Sequence, residues 1–262
     1  MSTYLDRILA GHRAAAAADL RPLEALLEEA RGCEPTRPFE AALAFTGERQ
    51  LAVIAEVKRR SPSRGDLAVD LDAAEVAVAY DRGGATCLSV LTDTEFFGGS
   101  VADLQAARSA VDLPVLRKDF TVAARDVADA RLMGADALLL IVAALDDAEL
   151  ADLHGLGRDL GLDVLVEVHD EGELERALAV GATMIGVNQR DLATFAVDTE
   201  RAVRVAQMMP GGIVRVAESG ITGTDDALVL AAAGFHAVLV GESVVTSGDR
   251  SGSVTRLRVR RR

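Results

Sequence analysis

The sequence is short of rings, thiols and lysine, and each shortage narrows what the chain can be. Aromatic residues are 3% of its 262 positions and tryptophan is absent, so a core has to be built from small and branched aliphatic side chains. No apolar run reaches the roughly 18 residues that a membrane span needs, and residues 1–31 alternate charge with apolar positions and hold no signal-peptide core. The two cysteines, Cys33 and Cys87, lie too far apart for metal-ligand spacing; two free thiols in a reducing, cytoplasmic setting are the expectation. No G-x-G-x-x-G or Walker loop follows the first predicted strand, which counts against an open doubly wound nucleotide-binding sheet. A net charge of -13 argues against nonspecific nucleic-acid binding by the body of the chain.

The shortage of lysine carries the most information. Of 28 basic residues only Lys58 and Lys118 are lysines. A coding preference for arginine explains the rest but not these two. Arginine is a fixed cation, whereas lysine is a compact charge whose proton can be released under the right surroundings. Two positions that resist the preference are candidates for chemistry.

Tyr4 to Arg31 has helical apolar spacing at Leu5, Ile8 and Leu9, then Leu20, Leu23, Leu26 and Leu27, and predicts one or two amphipathic helices. From residue 52 the pattern changes to short apolar runs alternating with helical stretches. The predicted strands are 53–58, 87–92, 115–120, 137–142, 164–168, 184–188, 214–218 and 237–240. Gly84, Gly134, Gly161, Gly181 and Gly234 each precede a strand, where glycine can end a helix in the left-handed conformation. Eight such units predict one α/β domain, a closed (β/α)8 TIM barrel with residues 1–50 as an N-terminal helical extension.

Barrel enzymes work at the C-terminal ends of their strands. Charged and amide residues gather at those ends: Glu56 and Lys58, which share a face, then Lys118, Glu167, Asn188 with Arg190, Glu218 and Glu242. One strand-end charge is as often a solvated one; this many on one rim can shift each other's pKa and divide acid and base roles. Ser219-Gly220 and Gly241-Glu242-Ser243 both lead into helical segments, a pattern suited to holding a phosphate on backbone N–H groups.

The segment Ile54-Ala55-Glu56-Val57-Lys58-Arg59-Arg60-Ser61-Pro62-Ser63-Arg64-Gly65 resembles the indole-3-glycerol-phosphate synthases of tryptophan biosynthesis. Leu88 to Asp93, Phe96 to Ser100, Val115 to Phe120, Leu165 to His169, Ile185 to Leu192 and Ala217 to Ile221 fit the same family, in order, over nearly the whole chain. The resemblance implies a carbon–carbon lyase that closes, decarboxylates and dehydrates 1-(o-carboxyphenylamino)-1-deoxyribulose 5-phosphate. It implies Lys118 as general acid and Glu167 as the proton-transfer carboxylate, with Glu56, Lys58 and Asn188 assisting. Ser61, Arg190 and Glu218 would contact substrate, and Ser219, Gly220, Gly241 and the Glu242 backbone would hold its phosphate. Neither metal nor organic cofactor is implied, and neither nucleic acid nor membrane is a partner; the expected state is a monomer acting on an anionic sugar phosphate in the cytoplasm.

Rival readings are another phosphate-binding barrel, such as phosphoribosylanthranilate isomerase or a Schiff-base aldolase, and a barrel that binds phosphate ligands without turnover. His169 is left aside as a structural histidine, and His12, His154 and His236 are given no role. Arg59 and Arg60 are taken as solvated, and Phe96 and Phe97 as either ring contacts or loop anchors. Gln189 stands where the family commonly has a second asparagine. Residues 249–262 depart most from the family: the apolar stripe is thin, Gly252 weakens a helix, and a short helix with a mobile basic tail is the expectation.

Overall fold

A computed structural model describes residues 3–45, 50–191 and 195–261. Residues 1, 2 and 46–49 of the expected extension, Leu192 of the family motif and Arg262 of the basic tail lie outside the described residues.

The barrel strands are β1 (Ala52–Val57), β2 (Cys87–Leu91), β3 (Val115–Lys118), β4 (Ala137–Ile141), β5 (Asp163–Val168), β6 (Met184–Asn188), β7 (Val214–Glu218) and β8 (Ala237–Val240). Each pairs in parallel with its neighbour in sequence, and β8 pairs with β1 to close the barrel. The strands are almost wholly buried because helices cover the outer face while side chains fill the inner one. The five predicted helix-ending glycines all have positive φ, between 76° and 92°. Strand β3 stops two residues before the predicted end: the Asp119 carboxylate accepts from the Phe120 amide (2.9 Å) and the Arg117 guanidinium (3.0 Å), which draws the chain out of the ladder.

The N-terminal segment forms three helices, α1 (Tyr4–Ala18), α2 (Leu23–Arg31) and α3 (Phe39–Ala44). Thr3 caps α1 in a reciprocal box with Asp6, and the break before α2 falls at Pro22. Helix α3 plugs the N-terminal end of the barrel with Phe39 and Leu43, both fully buried. Arg37 fastens that plug by donating to the carbonyls of Val111 (2.9 Å) and Leu113 (2.8 Å), and its own amide donates to the buried Asp136 (2.8 Å). Helix α1 lies at the opposite, C-terminal end. Arg13 pairs with Glu149 (2.6 Å) and donates to the Ala144 carbonyl, and Tyr4 packs edge-on against Phe96 and Phe195.

Around the barrel follow α4 (Ala73–Arg82), α5 (Val101–Ala110), α6 (Ala124–Leu132), α7 (Asp147–Asp159), α8 (Glu171–Ala179), α9 (Arg201–Met208), α10 (Thr224–Ala232), α11 (Glu242–Val245) and α12 (Arg250–Leu257). The last of these is the short final helix expected of this segment, and its thin apolar stripe is packed. Val254 and Leu257 are three apart, share a face and are buried. Gly252 helps rather than hinders, because its amide donates to the capping Asp249 carboxylate where a Cβ would collide with that same group. Beyond the helix, the Val259 carbonyl accepts from Leu51 (2.8 Å), Arg258 donates to Gln50 (2.7 Å), and Arg260 bridges Gln50. Residues 258–260 are thus joined to the segment leading into β1.

Candidate active site

The inward alternation of β1, β3, β5, β6 and β7 brings Glu56, Lys118, Glu167, Asn188 and Glu218 to one rim. They line a cavity of about 480 Å³ at the C-terminal end of the barrel. All of the sequence-predicted site residues reach it: Lys58, Ser61, Arg190, Ser219, Gly220, Gly241 and Glu242 complete the lining. Lys118 Nζ stands 3.6 Å from Glu167 Oε2 and 3.8 Å from Glu218 Oε2. Asn188 Nδ2 donates to the other Glu167 oxygen (2.9 Å). Lys58 Nζ pairs with Glu56 Oε1 (2.5 Å), and Ser89 donates to Glu56 Oε2 (3.4 Å).

Three carboxylates round two ammonium groups cannot all behave alike. Burial disfavours the charged form of each, and what separates them is the neighbouring charge. For Glu167 burial is outweighed by Lys118, His169 and Asn188, and its pKa falls to about 2. For Glu218 burial and the Glu167 charge act together against the weaker pull of Lys118, and its pKa rises to about 8. For Glu56 burial is outweighed by Lys58 and Lys118, and its pKa is lowered. For Lys118 the neighbouring acidic groups, Glu167 foremost, outweigh burial and hold it protonated. At neutral pH the site therefore contains an ammonium group, an ionised Glu167 and a neutral Glu218.

Two glycines make this packing possible. A Cβ on Gly186 would run into Glu218 Oε1, and a Cβ on Gly241 would run into Glu56 Oε1 and stand 3.0 Å from Lys58 Nζ. The second places the Gly241 backbone beside the Lys58 ammonium. Opposite it, Ser219 (φ 64°) and Gly220 (φ 72°) both adopt the left-handed region before α10. Ser219 is held there at a conformational cost, and the Gln189 side chain donates to its carbonyl (2.8 Å). Gln189 thus braces the left-handed turn before α10. Arg64 pairs with the Glu242 carboxylate (3.1 Å), closing the hairpin of Arg60–Ser61 and Gly65–Asp66 over this end.

The cavity lining also includes the apolar side chains of Phe97, Phe120, Leu139, Ile141 and Phe195. Phe97 faces the cavity, whereas Phe96 packs on Tyr4 and anchors α1. Arg59 is no solvated charge: it forms two bonds with Asp103 (2.7 and 3.2 Å) outside the cavity. Arg60 stays half exposed near Asp66. Sequence reasoning missed His12, whose Nε2 lies 3.0 Å from Asp93 and 3.8 Å from Asp119, tying α1 to the rim. These three groups converge as metal ligands would. Their oxygens are already engaged, however: Asp93 by the amides of Phe96 and Phe97, and Asp119 by Thr92, Arg117 and the Phe120 amide. The Arg117 guanidinium supplies the cation there. Among the described residues no helix is long and apolar enough to cross a membrane.

The sequence model described as indole-3-glycerol phosphate synthase matches residues 5–257. The chain belongs to that family. An indole-3-glycerol phosphate synthase of Nocardioides sp. is 51% identical over 97% of this chain and 98% of its own length. One of Mycolicibacterium smegmatis is 50% identical, covering 98% and 94%. Among solved structures, 3-hexulose-6-phosphate synthase from Salmonella typhimurium superposes with a TM-score of 0.63 at 15% identity, over 79% of this chain and 96% of that one. Thiamine phosphate pyrophosphorylase from Pyrococcus furiosus gives 0.59 at 16%, over 80% and 94%. These two likenesses establish the barrel fold alone; the family match establishes a decarboxylating carbon–carbon lyase of tryptophan biosynthesis.

Proposed function

We infer that this barrel makes indole-3-glycerol phosphate from 1-(o-carboxyphenylamino)-1-deoxyribulose 5-phosphate, with the rim residues dividing the proton transfers. The observation that carries the division is one lysine set between two buried carboxyl groups, 3.6 Å from Glu167 and 3.8 Å from Glu218. The substrate's phosphate lies at the Ser219-Gly220 and Gly241-Glu242 backbone, with Lys58 as its counter-charge. Its aromatic ring lies among Phe97, Phe120, Leu139 and Ile141, and Ser61 and Arg190 face its carboxylate.

Ring closure joins the ring carbon that bears the carboxylate to the ribulose carbonyl carbon. Lys118 delivers its proton to the carbonyl oxygen as the C–C bond forms, so the developing alkoxide becomes a hydroxyl. The ring then carries a positive charge shared with nitrogen. Loss of CO2 returns the electron pair of the C–C bond to the ring. Lys118 is then reprotonated from solvent, which supplies the one proton that loss of CO2 from a carboxylate consumes, and in the last step Glu167 takes a proton from the carbon attached to nitrogen while the new hydroxyl, protonated by Lys118, leaves as water. Glu56 orients Lys58 and Lys118 by charge. Glu218, whose proton is held by burial and by the Glu167 charge, is the carboxyl able to donate a hydrogen bond to the substrate. No step calls on a metal or an organic cofactor.

The reaction needs one chain: every group named belongs to one cavity, and we place the enzyme as a monomer. Its acidic surface suits neither nucleic acid nor anionic membranes, and its free Cys33 and Cys87 suit the cytoplasm. The test is continuous fluorescence of the indole product from synthetic substrate in chelator-treated buffer. Turnover is the expected result. Schiff-base trapping by borohydride, or product binding without turnover, would overturn the reading.

A further inference from the structure

His169, two residues beyond Glu167, shares its face of the strand end. Asp170 caps α8 by accepting from the Glu173 amide (2.8 Å). That cap places Glu173 in the first helical turn, where its Oε2 accepts twice from His169: from the backbone amide (2.8 Å) and from ring Nδ1 (2.9 Å). The Asp170 cap requires neither of these bonds. The second fixes the ring's rotation, and with it the direction of Nε2.

Nε2 is shielded from water and has no hydrogen-bond partner in the resting geometry; the acceptor it faces is Glu167 Oε1 at 3.4 Å. Oε1 also accepts from Asn188 (2.9 Å), whereas Oε2 accepts no hydrogen bond and looks toward Lys118 at 3.6 Å. The two oxygens of one carboxylate are therefore inequivalent. Oε1 is loaded from behind, and Oε2, itself shielded from water, is left without a hydrogen bond on the side of Lys118.

We propose that Glu173 and His169 are positioning residues for Glu167: Glu173 fixes the imidazole, and the imidazolium Nε2–H holds Oε1, so that Oε2 is the oxygen that takes the substrate proton. The inference rests on Glu167 being the proton acceptor. The surrounding charges agree with it. Around Glu167 stand Lys118 from β3, Glu218 from β7 and His169, while β4 contributes apolar Ile141 and β6 the neutral Asn188. Glu56 from β1 acts on Lys118 and Glu218. Around His169 stand Glu167 and, from α8, Glu173; together they outweigh burial and raise the ring's pKa to about 10. A cationic ring between two carboxylates donates through both nitrogens.

The test pairs ring ¹⁵N NMR with steady-state kinetics on the full-length enzyme. In the wild type both His169 nitrogens carry protons from pH 6 to 8, and in Glu167→Gln the ring titrates at lower pH. His169→Gln lowers kcat about 10- to 100-fold, the scale of one charge-assisted hydrogen bond, with KM within a few-fold. Glu173→Gln, at the rim of α8, moves kcat the same way but less, and the double variant falls no further than His169→Gln alone. A ring neutral at pH 7, a ring titration unchanged in Glu167→Gln, or a kcat near wild type in both His169→Gln and Glu173→Gln would overturn the proposal. Near-normal turnover by Glu167→Gln would instead overturn the role given to Glu167 itself.

Discussion

Glu218→Gln should stabilise the protein more at pH 7 than at pH 5, because the folded state keeps a proton that the unfolded chain releases. Glu218 is 2% exposed, and its pKa rises from an ordinary 4.5 to about 8, through burial first and the Glu167 charge second. A carboxyl whose folded pKa lies above its unfolded value has its full stability below the unfolded pKa and loses it as pH rises toward the folded pKa. The penalty is about 1 kcal/mol at pH 5 and about 3 kcal/mol at pH 7, and it levels off above pH 8. Glutamine has the same shape and does not titrate. Any fixed cost of the amide, including a donor left beside Glu167, is the same at both pH values and cancels in the difference. Because Glu218 is already neutral in the fold at pH 7, the substitution leaves the charges on Lys118 and Glu167 as they were. Urea unfolding of the two proteins at pH 5, 6, 7 and 8 should therefore show the variant gaining about 2 kcal/mol between pH 5 and pH 7. A difference that stays flat with pH, or that falls as pH rises, would refute the neutral state of Glu218 and the role built on it.

Gly186→Ala should cost at least tenfold in kcat/KM, since its Cβ overlaps Glu218 Oε1 and also stands 3.3 Å from Leu165; a variant with wild-type kinetics would contradict the seat described for Glu218. Val254→Ala should lower stability by about 2 kcal/mol in urea unfolding, as a fully buried side chain under α4 is cut back; an unchanged midpoint would mean that α12 is not docked.

The barrel was legible because parallel strands and helix-ending glycines leave local traces: a buried strand reads as a short apolar run, and a left-handed helix end reads as glycine. The rim was legible for a different reason. Lys58 and Lys118 stand out against an arginine background, and both line the cavity. What stayed hidden depends on contacts distant in sequence. His12 meets Asp93 across 81 positions, and nothing near either residue announces the other. The docking of the chain end rests on Gln50, Leu51 and Gly83, far from the sparse stripe of α12 that suggested a loose tail. Arg59 reads as one of several loop charges until Asp103, 44 positions on, is brought beside it. His169 was within reach, since strand alternation already put it on the face of Glu167; the missing part was Glu173, which turns the ring.

The single-turnover and steady-state rates of Lys118→Arg bear most directly on the account. The charge between Glu167 and Glu218 survives in that variant, but arginine does not release a proton near neutral pH. Substrate should still bind, and the barrel should still melt as the wild type does, while product formation falls by a factor on the order of 10³ or more. Arginine supporting kcat close to that of lysine would contradict proton donation by Lys118 and reduce the residue to a binding charge.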